Sequence, residues 1–243
     1  MILLDWTRMG RTYCLAGAVF DGGRLRIVRP LLARFRDAPV RNVGWSPYLL
    51  DGHTRWEVFE LVGPHAALPE APHLEDLWVR SLRPRRRLAS PGQRREVLAA
   101  TTAPDGEQVF GAPLVPTRAA AYLEPGTGRR SLATVTIPGG EIHFNASRRD
   151  GVADAEVRVS VSLPGLGGRL LSVKDHHLLR RAEQAGADLD VQVGALDRAV
   201  QQMGECVAVR LGVSRSFQPA DGRAPAKCWL MVDGLFSATD PQP

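Results

Sequence analysis

Arginine and aromatic residues recur side by side along this chain. Arg41 precedes Gly44-Trp45-Ser46-Pro47-Tyr48, Arg55 adjoins Trp56, Trp78 lies just before Arg80, and Arg215 lies just before Phe217. That mixture suits single-stranded nucleic acid, because rings stack on bases at roughly 1 to 3 kcal/mol each while guanidinium groups take the backbone phosphates. On strands the same rings serve as core residues instead. Trp56 and Trp229 are assigned to packing, whereas Trp45 and Tyr48, in a Gly/Pro loop, are expected to be exposed. Glu70, His73, Glu75 and Asp76 form a second cluster. Carboxylates beside a histidine can bind Mg²⁺ or act as acid and base. Pro69 and Pro72, however, imply an extended loop leading into Leu77-Trp78-Val79, where the acids serve equally well as ion-pair partners of nearby arginines.

Ready-made catalytic motifs are missing. No G-x-S-x-G surrounds Ser46, Ser214 or Ser216, and the chain has no P-loop, no G-x-G-x-x-G after a strand and no C-x-x-C pair. Lys174-Asp175-His176-His177, after the apolar segment Leu170 to Val173, resembles the signature of the DHH phosphoesterases. The resemblance implies a metal pair that activates water, and so a metal-dependent phosphoesterase centred on Asp175, His176 and His177. That family also needs further aspartates from earlier strands. No Asp-x-Asp precedes Asp175, so the triplet reads equally as a helix cap followed by two histidines on the first turn.

The charge balance points toward an anionic partner. The net charge of +5 comes from 31 basic residues, all arginine except Lys174 and Lys227, against 26 acids. Guanidinium groups suit phosphate, but a GC-rich genome produces the same bias, and scarce Asn (Asn42, Asn145) and Ile agree with that cause. Position is more telling than the total. Residues 1 to 104 hold 16 Arg against 10 acids, whereas residues 105 to 243 are close to neutral. Within the first part, Arg24 to Arg41 and Arg80 to Arg95 are the densest stretches.

The elements that must position these residues are mainly strands. Period-two alternation predicts strands over Glu156 to Leu163, Val207 to Val213 and Arg24 to Arg29, the last with Leu25 and Ile27 inward. Further strands are expected at Tyr13 to Phe20, Trp56 to Val62, Leu132 to Ile137, Glu141 to Asn145, Leu170 to Val173 and Cys228 to Val232. Ser90-Pro91-Gly92-Gln93 predicts a capped helix to about Ala100. Asp175 and Gly186 bracket a second helix, and Ala195 to Met203, closed by Gly204, forms a third. No strand–helix–strand alternation supports a parallel α/β sheet. Three cysteines, the lack of a long apolar run and Asp5 interrupting the initial Met1-Ile2-Leu3-Leu4 lead us to expect a cytoplasmic protein with no leader and no membrane partner.

Taken in order, these segments resemble a known family. The carriers are Arg26-Ile27-Val28-Arg29-Pro30, Gly44-Trp45-Ser46-Pro47-Tyr48-Leu49-Leu50, Pro69 to Asp76, Ala208 to Phe217 and Trp229 to Phe236. The chain is similar over nearly its whole length to the bacterial dual OB-containing domain family. The resemblance implies two OB-like barrels, nucleic-acid binding and a role in bacterial defence against foreign genetic elements. Family-type residues are then Arg29, Pro30, Pro72, Glu75, Asp76 and Arg215, with the family's Gln-Pro-Glu-Asn-like loop altered here to Pro72-His73-Leu74-Glu75-Asp76.

The resulting expectation is a mostly β protein with a few short helices and two OB-like Greek-key barrels packed in tandem. Residues 1–104 form an N-terminal barrel plus an Arg-rich helical segment, and residues 105–243 a C-terminal barrel with two short helices. Its expected function is non-catalytic binding of single-stranded DNA or RNA, with no cofactor, no metal and no catalytic residue. Arg29, Arg41, Arg85, Arg86, Arg87 and Arg215 would hold phosphates while Trp45 and Tyr48 stack on bases. The alternatives are a protein-interaction module that scaffolds an effector subunit such as a nuclease, and the phosphoesterase.

Overall fold

A computed structural model of the 243-residue chain describes residues 1–10, 12–35, 44–50, 52–67, 70–103, 108–118, 120–148, 155–163, 167–218 and 225–239. Among these described residues it is mostly β, with three α-helices and two curled half-barrel sheets in tandem. The first sheet contains β1 (Ile2–Met9), β2 (Thr12–Asp21), β3 (Arg24–Leu32), β4 (Glu57–Val62), β5 (His65–Ala66), β6 (Asp76–Val79) and β7 (Ser81–Leu88). Its order is β5-β6-β3-β2-β1-β4-β7, antiparallel except for the β3–β6 pair.

Helix α1 (Pro91–Thr101) follows, and the small hairpin of β8 (Val115–Pro116) and β9 (Ala121–Leu123) joins the second sheet. That sheet contains β10 (Leu132–Pro138), β11 (His143–Arg148), β12 (Ala155–Leu163), β13 (Gly167–Val173), β14 (Cys206–Val213) and β15 (Cys228–Ser237), in the order β10-β14-β15-β13-β12-β11. Helices α2 (His176–Ala185) and α3 (Leu189–Gln202) separate β13 from β14.

The helices form where their capping chemistry places them. Ser90 accepts from the Gln93 amide and Gln93 reaches back to the Ser90 amide, a reciprocal cap with Pro91 opening the first turn. Asp175 caps α2 through the Leu178 amide, and Asp188 caps α3. Leu178, Ala182, Leu196 and Val200 then bury in the largest core cluster, which Val207, Val209 and Leu211 of β14 share.

Two of the long strands are not marked by the sequence-based reading, for different reasons. β1 carries no alternation because both of its faces are covered. Ile2 and Leu4 pack with Trp56, Val97, Leu98, Ala208 and Phe236 between the two sheets, while Leu3 and Trp6 join the first sheet's own core. A register shift between Leu3 and Asp5 makes this possible by placing two residues of β1 against one step of β2. β2 approaches so closely that a Cβ on Gly17 would lie 2.2 Å from the Ile2 carbonyl oxygen. The other is β7. The helix expected from Ser90 to about Ala100 forms as α1, whereas the arginines before it, to which the sequence assigns no element, are a strand as far as Leu88.

Candidate functional site

The sequence-predicted site residues fall into two groups, one internal and one on the surface. Arg29 lies opposite Asp76 in the parallel β3–β6 register, and its Nε donates to Asp76 Oδ1 at 2.6 Å. Arg215 takes the other oxygen of the same carboxylate at 2.5 Å. Arg29 is only 4% exposed. The expected outward phosphate contact is therefore corrected at Arg29: β3 alternates as far as Ile27 and is then covered on both faces from Val28 to Leu32. Arg215 keeps a quarter of its side chain exposed while holding Asp76.

Asp76 belongs to a set of polar contacts that join the two halves of the chain. Arg210 of β14 is fully buried and grips Asp5 of β1 with two bonds, 2.9 and 2.5 Å, while its third nitrogen donates to Thr134. Arg55 pairs with Asp175, Glu75 accepts from the Ser131 amide and hydroxyl, and Arg8 meets Glu183 nearer the surface. All of these except the Arg210–Thr134 bond, which lies within the second half, cross from the first half to the second. Two acids of the Glu70–Asp76 cluster thus serve structure: Asp76 as the partner that the ion-pair reading of these acids anticipated, and Glu75 as the acceptor of Ser131. Within it, His73 is buried and its pKa falls to about 2, chiefly by desolvation and then by the nearby Arg29 and Arg215 charges.

The Asp175-His176-His177 triplet is committed elsewhere. One Asp175 oxygen caps α2 and the other meets Arg55. The His176 ring stacks on Trp6 with centroids 4.4 Å apart, and His177 meets the same indole edge-on. Burial is the first cause that lowers both rings, His176 to about 4 and His177 to about 3. Among the described residues no group of three or more His, Cys, Asp or Glu converges as a metal site would require.

Trp45 and Tyr48 separate sharply. Trp45 is buried at 3% exposure, its indole N–H donates to the Pro30 carbonyl, and its backbone pairs with Tyr13. The expectation that this ring is exposed is corrected: a bridge to the end of β2 ties the loop down over the core. Tyr48, on the short 3-10 turn Pro47–Leu49, stands 86% exposed.

On the surface, β7 ends the first sheet. Its register against β4 runs from Phe59 opposite Pro84 to Glu57 opposite Leu88, so Arg85, Arg86 and Arg87 together face a single β4 residue and form a bulge. Arg83, Arg85 and Arg87 are exposed. Arg85 meets Glu60 at 3.0 Å with both side chains in solvent, a pair that contributes about 0 to 1 kcal/mol and yields readily to a stronger anion. A shallow groove of about 630 Å³ connects Arg87 and Pro84 with Gly52, His53 and Glu57. Arg41 and the Arg86 side chain lie outside the described residues.

A deeper cavity of about 550 Å³ opens between the two sheets, bounded by Tyr13, Cys14 and Arg29 on one side and by Lys174, Arg215 and Asp233 on the other. Sequence reading missed Asp233. Its carboxyl is pushed up to about 7 by burial and then by Asp5, with Arg210, Arg29 and the Thr7 hydroxyl acting in the opposite sense. The Cys14 thiol rises to about 11, first through burial.

No family model, no curated protein and no solved structure matches the chain. Among the described residues no helix is long and apolar enough to cross a membrane. What the molecule does must be read from its geometry.

Proposed function

We propose that the protein binds single-stranded nucleic acid without chemically changing it, through the β7 edge and the Tyr48 turn. The observation that carries this reading is the bulge on an edge strand, which gathers arginines where the sheet ends instead of pairing them inside. Bulges re-aim side chains, and here the re-aimed ones are the densest guanidinium run of the chain. Tyr48, a ring standing 86% free of the protein, supplies the stacking half of a single-strand site, and a groove that reaches Arg87 lies on the same half of the chain. Positive charge concentrated in residues 1 to 104 adds long-range attraction to a polyanion.

Arg83, Arg85, Arg87 and Tyr48 are the residues assigned to this site, with Arg215 held at the interface and Arg29 and Trp45 structural. Titration of a labelled oligonucleotide against the wild type, Tyr48→Ala and the Arg83→Ala, Arg85→Ala, Arg87→Ala triple variant tests it. Binding that weakens in both variants supports the assignment. Failure of DNA and RNA strands to bind at low salt refutes it. All four residues are exposed, so the variants retain the fold.

A further inference from the structure

The cavity between the sheets has a composition that the β7 reading does not use, and it stands independently of that reading. We infer that this cavity is a binding site for a nucleotide, with the phosphate toward Arg215 and Lys174 at the mouth and the base between the mouth's aromatic rings and the polar floor. Its volume, about 550 Å³, lies within the range of small-molecule sites.

The floor carries two buried polar atoms without partners, Arg29 Nη2 and Asp233 Oδ1, on residues that are each 4% exposed. Buried donors and acceptors are nearly always satisfied, so an unpartnered donor and acceptor lining one cavity point to a ligand that offers both complements. The edge of a nucleobase does so. Asp233 is faced by Asp5 and Thr7 from β1, Cys14 from β2, Arg29 from β3 and Arg210 from β14. On β14 the Gly212 position is kept bare: a Cβ there would fall on the Asp233 carboxylate. A protonated Asp233 both donates and accepts, whereas an ionised one only accepts.

The mouth is built by the continuation of the β14–β15 pair. Ser214 bonds back to Trp229, and Phe217 exchanges backbone bonds with Lys227, so Arg215 and Phe217 project from a paired ribbon. Phe217 is 57% exposed, a large apolar ring on a cavity whose lining also holds Trp229 and the cations Arg215 and Lys174, with Met9 and Ser216 beside them in the wall. Ring faces for a base and guanidinium for a phosphate are the complement of a nucleotide.

A free mononucleotide and one unit of a strand share this chemistry. The test titrates the full-length protein with AMP, GMP, CMP and UMP near pH 6, reading tryptophan fluorescence and calorimetric heat, with ribose 5-phosphate and inorganic phosphate as controls. At least one nucleotide is expected to bind more tightly than either control. Phe217→Ala should weaken it about tenfold by removing a stack, and Arg215→Ala by a similar factor. The triple β7 variant should leave it unchanged, which separates failure of this site from failure of the β7 surface. Displacement of the nucleotide by an oligonucleotide in that triple variant assigns the site to a strand; retention assigns it to the free nucleotide. The inference is overturned if no nucleotide binds at millimolar concentration, or if Phe217→Ala and Arg215→Ala, each shown to be folded by its unfolding transition, bind as the wild type does.

Discussion

Replacing Asp233 with asparagine keeps the side chain's shape and removes its charge. The folded carboxyl titrates at about 7, chiefly because burial opposes ionisation, with Asp5 second and Arg210, Arg29 and Thr7 opposing. In an unfolded chain the same group titrates at about 4. A raised acid pKa means that folding favours the protonated form. Its contribution to stability is therefore complete below about pH 4, is lost as pH rises to about 7 and stays lost above, at about 1.4 kcal/mol per unit. Between about pH 5 and about pH 8 that loss amounts to about 3 kcal/mol.

His73, His176 and His177 act in the opposite direction. Their lowered values, about 2, about 4 and about 3, favour the fold at neutral pH and oppose it as pH falls below the ordinary histidine range. Both proteins contain all three, so subtracting the two stability curves removes them. Urea unfolding of wild type and Asp233→Asn across this range is the assay. The wild type should lose about 3 kcal/mol relative to the variant from about pH 5 to about pH 8. A difference that stays flat would mean that folded Asp233 is ionised throughout, which refutes the reasoning.

The remaining expectations concern the interface and the first helix. Arg210→Ala leaves Asp5 buried without its partner and should cost about 3 to 5 kcal/mol in denaturant unfolding. The double change Arg210→Met, Asp5→Leu removes both charges together and should cost much less; equal losses would contradict the bidentate pair. Ser90→Ala removes one half of the reciprocal cap on α1 and should cost about 1 kcal/mol, seen as a small fall in melting temperature.

Sequence periodicity located the elements that have one wet face or a clear capping signal. The strands around Arg24, Tyr13, Leu132, Val157 and Val207 appear near their expected places, and Ser90, Asp175 and Gly186 bound helices as their types imply. β1 was illegible because a strand covered on both faces carries no alternation. β7 was masked by Pro84 and its arginines, which an edge strand tolerates and a central one would not.

The site was less legible than the fold. Arg210 reaches Asp5 across 205 residues, and no local pattern records such a partner. Arg29 and Arg215 looked like surface cations in the chain, yet both converge on Asp76. The one available signal was the pairing of Glu75 and Asp76 in an otherwise Arg-rich first half. Trp45 and Tyr48 sit three residues apart in one loop, and only the bridge to Tyr13 decides which of the two is buried.

The central claim, that the β7 edge holds the phosphates of a single strand, is tested most directly by the salt dependence of oligonucleotide binding. If Arg83, Arg85 and Arg87 each take one phosphate, they contribute about 2 to the logarithmic salt slope, equivalent to a loss of about 20-fold in affinity between about 50 and about 200 mM salt. The triple alanine variant should bind more weakly at low salt and show a slope smaller by about 2. Equal slopes for the two proteins, or no binding by the wild type at low salt, would contradict the account.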